Sequence, residues 1–332
     1  MSVPIEVMPD PPVSDIPFEL VKQGIQGRSL GQIAWSRLKR DKVAMFSFVF
    51  IVLIILIAVF APLIVRLAGT DVNDFNTDLL DPDTALPIGP WSGASHEHWL
   101  GIEPNNGRDV FARIVFGARI SLIIAILATV LSVVLGVSGG VAAGYFGGKV
   151  DTVISRVMDV MLAFPVLLFS IAILVIFSGV ESFLGLSDVT LRVSLMVFII
   201  GFFSWAYIGR VIRGQVLSLR EKEFIDASRS LGAGSSRILT KELLPNLIAP
   251  ILVYATLTIP TNILTEAALS FLGVGVQEPI PSWGKMLSTA QSTYSIDPFY
   301  MFIPGIAIFI TVLAFNLFGD GLRDALDPKS TR

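Results

Sequence analysis

Residues 220–246, REKEFIDASRSLGAGSSRILTKELLPN, form a polar island between two apolar runs, 195–208 ahead of it and 247–271 behind it. Within the island, Phe224, Ile225, Ala227, Leu231, Ile238, Leu239, Leu243 and Leu244 recur at helical spacings, and Gly232 and Gly234 interrupt them. The pattern predicts two short helices about a glycine hinge. Seven basic residues lie between Arg210 and Lys241. A short membrane loop that basic is expected to face the cytoplasm, where a folded loop is a place to dock a partner.

Composition sets the class. Of 332 residues, 53% are hydrophobic and 15% charged, against about 25% charged in soluble domains. A mean hydropathy of +0.73 points to an integral membrane protein. The net charge of −3 is uninformative, because the placement of the charges matters more than their sum. Absence of cysteine excludes disulfides, thiol nucleophiles and thiolate metal sites.

Working outward from the island, the chain reads as an all-α membrane protein of six transmembrane helices with both termini cytoplasmic. Residues 1–42 are expected to be a cytoplasmic tail without a signal-peptide pattern, ending in an interfacial helix with Trp35 at the headgroups. The first transmembrane helix spans 43–65, long enough for a hydrocarbon core of about 30 Å. A large, acidic, proline-bearing extracytoplasmic loop covers 66–116. Residues 117–319 form a core of five helices at about 118–143, 157–180, 193–208, 247–269 and 300–318, and 320–332 form a cytoplasmic tail. Residues 147–156 read as an inside turn, and Pro165 should kink the third span. Gly136, Gly139, Gly140 and Gly144 should let helices approach closely. This map puts eighteen of the 24 Lys and Arg inside, the asymmetry the positive-inside rule expects. No internal repeat is visible, which weighs against a transporter built from inverted halves.

The chain lacks the parts of a catalytic centre. In the nearest approach to a phosphate-binding loop, Gly147-Gly148-Lys149, Val150 stands at the Ser/Thr position and Ala143 at the first glycine. His96-Glu97-His98 has no further ligand cluster and reads as loop packing, so no metal site is assigned. Asn262 and Glu266 lie four apart on the fifth span and share a face. An ionisable group in a span is a candidate for the substrate pathway, where a carboxylate would meet a substrate amine; the alternative is that Glu266 bonds to nearby backbone. Arg156 and Asp159 read as a local ion pair or as interface anchors, and Pro165, Pro250, Pro260 and Pro304 as shapers of helices.

Asp226-Ala227-Ser228, Gly232 and Leu244-Pro245 resemble the EAA loop of ATP-binding-cassette (ABC) importer permeases. Asp226 replaces the usual Glu, Ser228 the second Ala, and Glu242 stands where an apolar residue is common. The likeness extends through His98-Trp99-Leu100-Gly101, residues 106–110, 117–122 and 144–148, Leu162-Ala163-Phe164-Pro165, and residues 211–215, 266–273 and 319–328. Together these resemble the C-type permease of dipeptide and oligopeptide ABC importers. One departure, Glu103-Pro104-Asn105, falls in the outside loop and is expected to bear on partner contact rather than on fold.

The resemblance implies a permease subunit that forms half of a peptide pathway with a homologous second permease. Two ABC ATPase subunits would bind ATP and Mg, an extracytoplasmic solute-binding protein would deliver cargo, and membrane lipid would surround the chain. No cofactor of its own and no nucleic acid is implied. Glu223, Asp226, Ala227, Ser228, Leu231, Gly232, Leu244 and Pro245 would form the ATPase-coupling loop, with Leu243, Leu244 and Pro245 setting its entry into the fifth span. The expected location is the bacterial cytoplasmic membrane. Related permeases serve nickel, glutathione or other small solutes; an ion-gradient-driven transporter or a channel is the more distant alternative.

Overall fold

The computed structural model describes residues 30–177, 182–183 and 186–327. The expected tails before residue 30 and after 327, and most of the loop after the third span, lie outside the described residues.

Helix α1, Leu30–Leu38, precedes α2, Lys42–Val59, whose start is capped by Asp41 accepting from the Val43 and Ala44 amides. The first span is not one helix over 43–65. It breaks at Phe60, where a proline-containing turn restarts the chain as α3, Ala61–Leu67. Helix α4, Val110–Phe146, is capped by Asp109, which accepts from the Ala112 amide at 2.7 Å. Gly147, at φ +65, then turns the chain directly into α5, Gly148–Ala163. Residues 148–156 are therefore helix rather than the expected inside turn. Their polar side chains recur one turn apart, with Ser155 donating to Asp151 at 3.0 Å, a periodicity that hydropathy alone hides.

Pro165 does more than kink the third span. Phe164 is forced into an extended conformation, as residues before proline are, and α5 meets α6, Val166–Ile176, at 81°. A two-residue antiparallel pair, Ser182–Phe183 with Leu186–Ser187, leads into α7, Asp188–Leu219. The short α8, Glu223–Ser230, follows, then α9, Ser235–Phe271, α10, Trp283–Ala290, and α11, Pro298–Leu326. Among the described residues five helices are long and apolar enough to cross a membrane, and the bent α5–α6 pair makes a sixth if counted as one span.

The α4–α7 pair is the most extensive contact in the bundle. Gly136, Gly140 and Gly144 form its seam. A Cβ on Gly140 would lie 2.5 Å from the Gly209 carbonyl oxygen, and one on Gly144 2.7 Å from Val216, so the two backbones touch in the way small-residue packing permits. At one end of this pair Arg213 grips Asp151 of α5 at 2.5 and 2.7 Å, Arg210 bonds Asp159, and Arg220 donates to the Gly144 carbonyl at 2.9 Å. Asp159 therefore has a partner on α7 besides its neighbour Arg156.

The opposite end is closed by the 66–109 segment, which is a folded cap. Buried Glu103 accepts from Arg108 at 2.6 Å and from the Tyr300 hydroxyl at 2.8 Å, and lies 3.6 Å from Arg113. Glu278 bridges both arginines, at 2.5 Å to Arg108 and 3.0 Å to Arg113. Burial pushes the Glu278 carboxyl up, but its hydrogen bond from Arg108 and the charges of Arg113 and Arg108 outweigh it and hold it below its ordinary value. Glu103 is thus a member of the buried ion cluster at this end of the bundle, which corrects the expectation that this position bears on partner contact rather than on fold. His98 of the same segment bonds Asp109 through Nδ1 at 2.7 Å, tying the loop to the start of α4.

Candidate functional site: the island between α7 and α9

The island's second half is not a separate short helix. Ser235 begins a helix that runs unbroken into the fifth span, with a π-helical turn at Ile238–Leu243. Pro245 has no amide to donate to the turn before it. The wider turn absorbs this, and the Leu244 amide reaches back to the Leu239 carbonyl. Proline in a membrane helix is tolerated when such local adjustment re-satisfies the backbone. Leu243 is buried, Leu244 half-buried and Pro245 exposed, so of these three Leu243 is the anchor.

Helix α8 is anchored by one residue. Ile225 is fully buried against Ile238, Leu243 and Leu247 of α9 and Ile208, Ile212 and Val216 of α7. Glu223 and Asp226 sit in its first turn and Arg229 in its last, matching the helix dipole. The helix ends in a Schellman motif: the Gly232 amide bonds the Arg229 carbonyl at 2.9 Å and the Ala233 amide the Ser228 carbonyl at 3.0 Å. Gly232 supplies the left-handed residue this needs, at φ +82, with nothing within 4 Å of where a Cβ would stand. The glycine is required by conformation and not by crowding.

With Ile225 pointing down, the opposite face is free. Glu223, Asp226, Ala227, Leu231 and Gly232 are exposed and Ser228 is half-buried. Leu231 is 89% exposed at the tip. Glu223, Asp226, Ala227 and Ser228 are therefore brought together on α8, with Leu231 and Gly232 in the turn that ends it, whereas Leu244 and Pro245 stand on α9. The face offers carboxylates, small side chains and two large apolar groups, Phe224 at 39% exposure and Leu231 at 89%. Of the seven basic residues near the island, Arg210 and Arg213 belong to α7 and brace α5.

Asn262 and Glu266 share one face of α9, and both are buried. The Asn262 amide donates to the Thr129 hydroxyl of α4 at 2.9 Å. Glu266 accepts from the Ser270 hydroxyl at 2.8 Å, within a pocket of serines that includes Ser121 and Ser282. Its partner is thus a side chain, not the nearby backbone that the alternative to a pathway role supposed. Ser121 in turn accepts from the Trp283 amide at 3.3 Å, so this knot joins α4, α9 and α10.

Residues 136–332 match the family described as binding-protein-dependent transport system inner membrane component, and residues 29–82 match the N-terminal transmembrane domain of oligopeptide transport permease C. The chain belongs to this permease family. It is a multi-pass membrane subunit of a bacterial ABC transport system, a transport component and not an enzyme. It is 42% identical over 296 residues, 89% of each chain, to the dipeptide transport system permease protein DppC of Alkalihalophilus pseudofirmus. It is 39% identical over 295 residues, again 89% of each, to the glutathione transport system permease protein GsiD of Escherichia coli. Among solved structures, an inward-facing MetNI methionine ABC transporter matches 65% of this permease and 97% of its own chain, with a TM-score of 0.51 at 20% identity. That likeness speaks to the fold alone.

Proposed function

We propose that this permease forms half of the translocation pathway of an ATP-driven importer for dipeptides and oligopeptides. Its partners are a homologous second permease, two ABC ATPases that bind ATP and Mg, and an extracytoplasmic solute-binding protein. The island is the ATPase-coupling site, with Glu223, Asp226, Ala227, Ser228, Leu231 and Gly232 at the contact and Leu244 and Pro245 carrying the motion into α9. The observation that carries this reading is the two-sidedness of this segment: Ile225 is a buried anchor, while Leu231 stands exposed among small and acidic residues. In this topology the island and both tails are cytoplasmic, and the 66–109 cap and the Glu266 knot lie at the extracytoplasmic end. Residues 117–319 are the permease core. Asn262 and Glu266 are enclosed by α4 and α10, so they meet cargo only when α9 parts from α4.

Glutathione is the second reading for cargo, favoured by the named E. coli relative. Reconstitution decides between the readings. Vesicles holding both permeases and the ATPases, supplied with binding protein and ATP, should accumulate labelled dipeptide. Uptake of glutathione in preference to dipeptide would move the cargo to the second reading. Peptide uptake driven by an ion gradient without ATPases would overturn the importer reading.

A further inference from the structure

The buried side of α9 carries Asn262 and Glu266; its outer side carries a row of uncharged polar groups. Tyr254, Thr258, Thr261 and Thr265 recur at intervals of four, three and four, and so share one side of the helix. Thr261 is exposed and the other three are half-buried, with exposed Leu264 at the edge of the row. Tyr207 of α7, 55% exposed, meets Tyr254 edge-on with ring centroids 6.0 Å apart. Gln215, exposed about two turns further along α7, carries the row on. The α9 part rises about 17 Å and the α7 part about 12 Å, so the row covers most of a hydrocarbon core of about 30 Å.

The exposed faces of α2 and α11 are different. From residue 43 to 59 of α2 and from 301 to 313 of α11 every exposed side chain is apolar. Threonine can live in hydrocarbon by turning its proton onto its own helix, and here Thr258 donates to the Tyr254 carbonyl at 2.7 Å and Thr265 to the Thr261 carbonyl at 2.9 Å. A tyrosine hydroxyl stands too far from its own backbone for that. Tyrosine in a membrane protein belongs at the headgroups, so a pair set well inside two spans faces water or another polar surface. The charges nearby are turned away, Arg210 and Arg213 of α7 onto Asp159 and Asp151 of α5.

We propose that this row is the wall this permease gives to its cargo path, and that it recognises the backbone of a peptide rather than the charges at its ends. The inference rests on the importer reading and adds to it the side chains that meet cargo. With their protons spent on the helix, Thr258 and Thr265 keep lone pairs free to accept from peptide N–H groups, while the tyrosine hydroxyls both donate and accept. A dipeptide is a zwitterion, so a fixed charge on the wall would hold one of its ends. Conduction needs contacts weak enough to leave, and neutral hydrogen bonds meet that need. The row also stands open without any parting of α9 from α4, unlike Asn262 and Glu266.

The chain has no cysteine, so single cysteines report on each position. Thr258→Cys, Thr261→Cys and Thr265→Cys are compared with Leu53→Cys and Phe309→Cys on the apolar faces. The assembled transporter hydrolyses ATP in lipid vesicles, a charged, membrane-impermeant thiosulfonate is the probe, and the mass of this chain is the readout. The row positions should react about tenfold faster than the controls or more, because the reactive thiolate forms in water and not in hydrocarbon. Saturating binding protein with dipeptide should slow them severalfold. Row positions no faster than the controls overturn the proposal, since lipid or the second permease then seals the face. Fast reaction indifferent to dipeptide overturns it too, as a wet crevice that cargo bypasses. Thr258→Val with Thr261→Val keeps the shape and removes both hydroxyls. Dipeptide uptake should fall about tenfold, the loss of two hydrogen bonds, and serine at both positions should restore most of it. Uptake unmoved by the valine pair, or not restored by serine, overturns the wall. No ATP-driven uptake of dipeptide by the unaltered complex overturns the importer reading itself.

Discussion

Ile225 is buried beneath α8 and Leu231 is exposed just past its end, and the coupling role can be tested by cutting each back to alanine. Leu231 is 89% exposed, so Leu231→Ala removes almost no contact within the chain and should leave its thermal unfolding unchanged. If Leu231 is buried on docking, the variant forfeits about 2 kcal/mol of apolar burial at the contact, or roughly thirtyfold in affinity for the ATPase. Ile225→Ala should do the reverse. It empties a fully buried site between α7 and α9 and should cost about 2–5 kcal/mol of stability, loosening α8 while its outer face is chemically intact. The assay is paired: thermal unfolding of the purified permease, and titration of the ATPase onto it in nanodiscs, read as bound fraction and as peptide-dependent hydrolysis. Leu231→Ala binding and coupling within twofold of the unaltered protein would refute the reasoning, because no other large apolar group stands as far out on that face.

Other parts of the molecule give equally direct outcomes. Gly140→Leu should prevent α4 and α7 from closing, since even a Cβ would lie 2.5 Å from the Gly209 carbonyl; the expected loss is about 3 kcal/mol or more, seen as a collapse in folded yield. Glu103→Ala leaves Arg108 and Arg113 buried with only the half-exposed Glu278 for charge balance, and should cost about 3–5 kcal/mol in thermal unfolding, whereas a surface-loop role would leave unfolding unmoved. Glu278 carries a lowered pKa, so its contribution is fully present above its ordinary value of about 4.3 and is lost as pH falls through the lower folded value. A pH series of unfolding midpoints should slope downward below that ordinary value, and Glu278→Gln should flatten the slope there.

What the sequence made legible follows from how local each determinant is. The glycine seam is read directly, because Gly136, Gly140 and Gly144 are one turn apart on a single face and α7 docks there. The hinge at Gly232 is also local, since a Schellman end needs only the last turn of α8 and a left-handed residue. The α5 start was hidden because the partner of Asp151, Arg213, is 62 positions later, and hydropathy scores a paired acid as a loop residue. Glu103 was misjudged for the same reason. Its partner Tyr300 is 197 positions away, and an acid in a proline-bearing segment reads as solvated until that partner is seen. The union of the island's second half with the fifth span failed on Pro245, which ends most helices but here is absorbed by a π-turn.

That union changes what the island can do. A two-helix hairpin could swing on Gly234 and Pro245 without moving anything else. Instead the residues that anchor α8, namely Ile238, Leu243 and Leu247, belong to the same helix as Asn262 and Glu266. The helix has 37 residues, about 55 Å at 1.5 Å per residue, so it spans the bilayer core and more. On the coupling reading proposed above, a push on Leu231 would pass through Ile225 into the base of α9 and along that helix, past Pro250 and Pro260, to the serine knot around Glu266. The knot ties α9 to α4 through Asn262 and Thr129, and to α10 near the Trp283 amide bond with Ser121. Motion at the base must therefore strain or break those bonds at the far end. Replacing Asn262 with Leu removes the α4 tie, so helix α9 should part from α4 more readily and basal ATP hydrolysis should rise several-fold without peptide. Unchanged basal hydrolysis in Asn262→Leu would mean that α9 does not carry the stroke.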